Sequence, residues 1–282
     1  MAYTPTQITE KALLFGKNNS LVGVLTEPSD SAKNYAVLFL NSGILHRIGP
    51  NRLYVNIARL LANEGLYAFR FDFSGIGDST LRIDDIPFDK STILEVQEAM
   101  DLLQSQLNID KFILAGICSG ANHAFKTACR DNRVVGATLI DFDYFLSLRY
   151  YFLSRLWLNV RSWRKIVSGK SGLWRFLIPE FLSSNTQKGQ LTPVRQILPE
   201  NQISDGITQL LNRQVKLLFI YSDRSPAYYN YHSRVKKYLR KDNSAGNVRI
   251  ELIKKSDHLF TQIEHQDMLI NLIHTWTSEL TL

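Results

Sequence analysis

The chain has 282 residues, 45% hydrophobic and 21% charged, with a formal net charge of +7. This length and balance fit one large α/β domain with an elaboration, or two small domains, with a core that needs no disulfide or metal. Cys118 and Cys129 form no Cys-x-x-Cys pair and no Cys/His cluster at ligand spacing, which excludes a disulfide scaffold and a structural zinc site; no cofactor is expected.

The first twenty residues lack a basic region followed by an apolar one, so no signal peptide is read there. No uncharged apolar run reaches membrane-spanning length, and a reducing cytoplasm is the expected compartment. "KALLFG" and "LVGVLTEP" predict an antiparallel hairpin across "KNNS". "YAVLFLNSG" (35–43) predicts a buried strand leaving into a glycine loop, and 51–65 a helix stopped by Gly65. Residues 66–79 predict a strand with a glycine-rich exit. Residues 91–107 predict an amphipathic helix capped by Ser91. "KFILAGICSG" predicts a strand running into a helix over 119–131, and further strands are expected at 134–141, 214–223 and 247–257. Short buried strands alternating with helices imply a mainly parallel sheet covered on both faces. Only 142–212 breaks the alternation, and it reads as a helical insertion between a first core segment (1–141) and a second (213–282).

Gly116-Ile117-Cys118-Ser119-Gly120 has the G-x-Nu-x-G form of a strained strand-to-helix turn that exposes its central side chain. The glycine register puts Cys118 at the nucleophile position, because Ser119 would need glycines where Ile117 and Ala121 stand. The backbone N–H of Ser119 would then help form an oxyanion hole. A cysteine buried in an ordinary strand–turn–helix is the bland alternative.

"NSGILHRIGPNRLYVNIARLLANEG", "FRFDFSGIGDS" and "GICSGA" together resemble the α/β-hydrolase superfamily. The nearest resemblance is to serine-aminopeptidase-like (S33-type) and exosortase-associated hydrolases, where cysteine often occupies this turn. The likeness covers about 20–140 well and 214–280 more loosely. It implies an eight-stranded sheet with a helical cap after the sixth strand, and a nucleophile, acid, histidine order. On that order His258 in "KKSDHLF" takes the histidine role. Asp223 is the first candidate for the acid, with Asp141 and Asp143 after the preceding strand as alternatives. The N–H of Ile44 in "NSGI" becomes the second oxyanion donor, and His46 in the same loop faces substrate. Asp72 and Asp78 resemble loop-shaping positions, and His123 a helix residue packed under the turn.

Cysteine here favours esters and thioesters over peptides, because an acyl-cysteine is itself a thioester and a thiolate attacks without full deprotonation by histidine. The expected function is therefore a hydrolase or acyltransferase for acyl esters or thioesters, working through Cys118, His258 and Asp223. Two alternatives stand beside it: a non-catalytic ligand- or partner-binding protein of the same fold, and a lactone hydrolase resembling dienelactone hydrolases, which also carry G-x-C-x-G. Residues 144–188 hold eight Lys or Arg against Glu180 alone, together with Trp157, Trp163 and Trp174. The bland reading is a cap whose aromatics, Trp157 and Trp163 among them, cover the substrate while its arginines are solvated. Sharper readings dock an acidic acyl carrier protein or an anionic saccharide, or rest the cap peripherally on an anionic membrane surface. No nucleic-acid motif accompanies the charge, so no nucleic-acid partner is expected.

Overall fold

The computed structural model describes residues 8–28, 32–142, 200–223 and 246–281. The chain opens on the expected hairpin, β1 (Thr9–Phe15) against β2 (Leu21–Glu27), paired antiparallel from Thr9 opposite Glu27 to Phe15 opposite Leu21. Gly16, Asn18 and Asn19 carry the positive φ angles that close this turn. Glycine and asparagine are the residues that take that conformation at least cost, which is why "GKNNS" reverses the chain.

Six more strands follow: β3 (Tyr35–Leu40), β4 (Tyr67–Phe71), β5 (Lys111–Ile117), β6 (Val134–Ile140), β7 (Lys216–Ser222) and β8 (Val248–Ile253). The eight form one sheet in the order β1-β2-β4-β3-β5-β6-β7-β8, parallel from β4 through β8. Central strands such as β3 and β5 are apolar at nearly every position and buried on both faces, as a parallel sheet between helix layers requires.

Helices α1 (Leu53–Asn63) and α5 (Ile263–Thr281) cover one face, where Val37, Phe39, Ile113, Ala115, Leu218 and Ile220 meet Leu53, Ile57, Leu61, Ile273 and Trp276. Helices α2 (Phe88–Leu107) and α3 (Ser119–Ala128) pack together on the other, where Phe125, Phe142 and Phe219 form a chain of rings. Helix α1 ends where Gly65 takes φ 85°, with Leu66 N donating back to Leu61 O.

One expectation is corrected here. Helix α2 starts at Phe88 with Pro87 at the N-cap, and Ser91 lies inside it, its hydroxyl donating to Phe88 O. The insertion expected over 142–212 lies outside the described residues from 143 to 199. Its last stretch is α4 (Glu200–Asn212). Gly206 of α4 faces Phe125 and Cys129, Gln209 donates to Cys129 O, and neighbouring Arg213 donates to Ala128 O and Asp131 O. α4 and Arg213 therefore pack on α3 and the turn that follows it.

Candidate active site

The β5–α3 turn places Cys118 at φ 58°, ψ −115°, a conformation that a non-glycine residue holds only when its surroundings force it. The forcing is visible. Cys118 N donates to Ile140 O at 2.8 Å, and Asn122 N donates to Cys118 O at 3.3 Å as α3 begins. A Cβ on Gly116 would strike the backbone of Gly120, and one on Gly120 would lie 2.6 Å from Leu40 O. Both glycines are required by close backbone approach, and between them Cys118 sits half-buried at the N-terminus of α3. The positive end of the helix favours an anion there.

His258, in the loop after β8, bridges the sulfur and a carboxylate. Its Nδ1 lies 2.6 Å from Asp141 Oδ2, and it also hydrogen-bonds Cys118. The Asp141 bond first, and the Cys118 contact second, hold the imidazole protonated, raising its pKa from 6.5 to about 10 against the opposing effect of burial. The His258 side chain is 44% exposed and that of Asp141 only 1%. Asp141 is also fixed by Ser222, whose N–H donates to Oδ1 (2.8 Å) and whose hydroxyl donates to Oδ2 (2.7 Å).

The carboxylate on His258 is thus Asp141, not Asp223. Asp223 Oδ2 instead accepts Lys255 N at 2.8 Å and ties the β7 exit to the β8 exit. The physical reason is register: Asp141 N donates to Ile220 O, which carries the Asp141 carboxylate across to the end of β7. Asp141 has φ 46°, a second strained non-glycine residue at the site.

The loop after β3 faces the elbow. Gly43 N donates to Ser119 Oγ at 2.7 Å, and Ile44 is 76% exposed. Asn41 holds this loop, donating to Leu45 O and Asp72 Oδ1 and accepting from Phe73 N. Buried Asp72 also accepts Arg47 N (2.6 Å) and pairs with the Arg47 guanidinium, which reaches Asp78 at 2.6 Å. Asp72 and Asp78 therefore shape the loop. Tyr54 braces the elbow from beneath, its hydroxyl donating to Leu40 O and accepting from Ile117 N, both at 3.1 Å. In the sequence Tyr54 reads only as one apolar position of an amphipathic helix, and no signal marks its hydroxyl.

His46 lies exposed on the same loop. His123 contacts Thr92 Oγ1 through Nδ1 (3.0 Å) and meets Phe73 and Phe88 edge-on; burial chiefly, with Lys126 adding to it, pushes its pKa down to about 3. Burial pushes the Cys129 thiol up to about 11. Asp143, Trp157 and Trp163 lie outside the described residues. Among the described residues no group of three His, Cys, Asp or Glu side chains could hold a metal ion, and no helix is long and apolar enough to cross a membrane.

No protein-family model and no curated protein matches the sequence. Solved structures do match over nearly the whole chain. An esterase from Pyrococcus furiosus is similar with a TM-score of 0.65 at 14% identity, covering 100% of this chain and 95% of that one. A putative hydrolase from Agrobacterium vitis is similar with a TM-score of 0.58 at 18% identity, covering 98% and 99%. A dienelactone hydrolase from Anabaena variabilis gives 0.58 at 15% identity, covering 97% and 98%. By its strand order, its helix layers and these likenesses, the chain has the α/β-hydrolase fold.

Proposed function

We propose that the protein is an acyl-ester or acyl-thioester hydrolase or acyltransferase that works through an acyl-Cys118 intermediate, with His258 as acid–base and Asp141 as its orienting carboxylate. The observation that supports this best is His258 hydrogen-bonded both to Asp141 and to Cys118, whose backbone is held at a strained elbow. A histidinium in that position stabilises a thiolate beside it.

The thiolate adds to the carbonyl carbon, forming the C–S bond and moving an electron pair onto oxygen. The N–H groups of Ser119 and Ile44 would receive that charge. Collapse breaks the bond to the leaving alcohol or thiol, which takes the proton from His258. Water or an acceptor alcohol or amine then gives its proton to His258 and displaces Cys118. Transfer from a thioester onto cysteine is nearly thermoneutral, which favours thioester donors. The excess of Lys and Arg over 144–188 supports an acidic acyl carrier protein as one donor, bound less tightly as salt rises. A carboxylate on His258 completes the acid–base pair that a purely ligand- or partner-binding protein of this fold would not need.

Turnover of a short-chain acyl thioester by the wild type, Cys118→Ala and Cys118→Ser tests this. Cys118→Ala is expected to lose activity by on the order of 10³-fold or more, with Cys118→Ser between the two. Full activity in Cys118→Ala rules the proposal out.

A further inference from the structure

In the acyl-cysteine reading one polar group beside the sulfur has no part to play, the hydroxyl of Ser119. Ser119 follows Cys118 directly and opens α3, and its Oγ accepts the N–H of Gly43 at 2.7 Å. Gly43 in turn precedes Ile44. The hydroxyl therefore belongs to the residue that carries one N–H assigned to the oxyanion, and its partner Gly43 is the chain neighbour of the residue that carries the other. A hydroxyl that accepts a hydrogen bond keeps its own proton to give. Among the described residues no acceptor takes that proton. There is also room for a ligand atom: Gly43 sits at φ +58°, and a Cβ built on it would meet nothing within 4 Å. Ser119 and Gly43 are both partly exposed, as groups that meet a substrate must be.

We propose that the Ser119 hydroxyl is a catalytic residue, a side-chain donor to the oxyanion, polarised and aimed by the Gly43 N–H behind it. The inference rests on the acyl-cysteine reading and adds to it. A carbonyl under attack by Cys118 gains negative charge on oxygen, and the hydroxyl gives it a hydrogen bond without giving up its proton. The Gly43 N–H strengthens that bond, because a hydroxyl accepting one bond donates a stronger second one. The chain thus sets three donors around the oxygen: Ser119 N–H, Ile44 N–H and Ser119 O–H. The opposite role predicts the opposite sign. If the hydroxyl only occupied the Gly43 N–H, removing it would free a backbone donor and quicken acylation.

Two reactions of one sulfur separate these cases. Acylation by an aryl thioacetate builds a tetrahedral oxyanion, whereas alkylation by iodoacetamide builds none. Wild type, Ser119→Ala and Ser119→Thr are compared in both, with the melting temperature recorded for each. Selective alkylation of Cys118 and acylation of the wild type must be seen first; their failure would count against the acyl-cysteine reading itself, not against Ser119. Given both, Ser119→Ala is expected to acylate slower by on the order of 10²-fold, to alkylate at the wild-type rate, and to be largely rescued by Ser119→Thr. Acylation by Ser119→Ala that is unchanged, or faster, overturns the proposal. So does a parallel loss of acylation and alkylation, which would make Ser119 a prop for the elbow.

Discussion

At Asp141 three hydrogen bonds converge on one buried carboxylate, from the Ser222 N–H, the Ser222 hydroxyl and His258 Nδ1. An amide at this position cannot accept all three and would favour the wrong imidazole tautomer. Asp141→Asn is expected to lower kcat by on the order of 10²-fold or more, whereas Asp223→Asn leaves it near wild type. Steady-state assays that rank the two the other way contradict the assignment. The histidine beside it carries a signature in pH. Because its folded pKa is raised, its charge contributes stability that is fully present below the unfolded value near 6.5 and is lost as pH rises through about 10. The stability gap between wild type and His258→Asn, followed by urea unfolding, should therefore shrink from pH 6.5 to 10. A gap that is constant or growing over that window contradicts the raised value. That Cys118 stands at the strand-to-helix turn is legible from glycine register, and that His258 stands in the loop after the last strand agrees with the order the resemblance implies. Asp141 was only an alternative, because periodicity does not reveal which of two neighbouring strand ends carries its carboxylate toward the histidine.

Among the elements, the parallel strands and the β1–β2 hairpin follow directly from short apolar runs punctuated by glycine and asparagine. Boundaries are less legible. Ser91 has the residue type of a cap, yet α2 starts a turn earlier, with the Pro87 carbonyl already accepting the N–H groups of Lys90 and Ser91. Residues 200–212 carry a helical pattern that does not announce which body the helix packs on; Gly206 against Phe125 answers that only in three dimensions. Tyr54 is the clearest case of a hidden role, since it joins α1 to the ends of β3 and β5 directly beneath the elbow. Tyr54→Phe leaves the buried Ile117 N–H without its acceptor. The expected cost is about 1–3 kcal/mol in urea unfolding, with a greater loss of acylation rate than of substrate affinity. Unchanged stability would show that the brace is idle.

Across the whole molecule, the fold gathers residues far apart in sequence. Cys118 comes from the β5 exit, Asp141 from the β6 exit and His258 from beyond β8, all beyond the carboxyl ends of the parallel strands, where α/β folds present their loops. The Asn41–Asp72–Arg47 network fixes the β3 exit at those strand ends as well. The proposed chemistry lies there, while Cys129, its thiol pushed up to about 11 by burial, serves as an internal control in the same chain. The most direct measurement is intact-protein mass after rapid quenching with a short-chain acyl thioester, followed by peptide mapping. One acyl group is expected, on Cys118 and not on Cys129, and absent from Cys118→Ala. No adduct on Cys118 during turnover, or the same adduct in Cys118→Ala, would contradict an acyl-cysteine at the elbow.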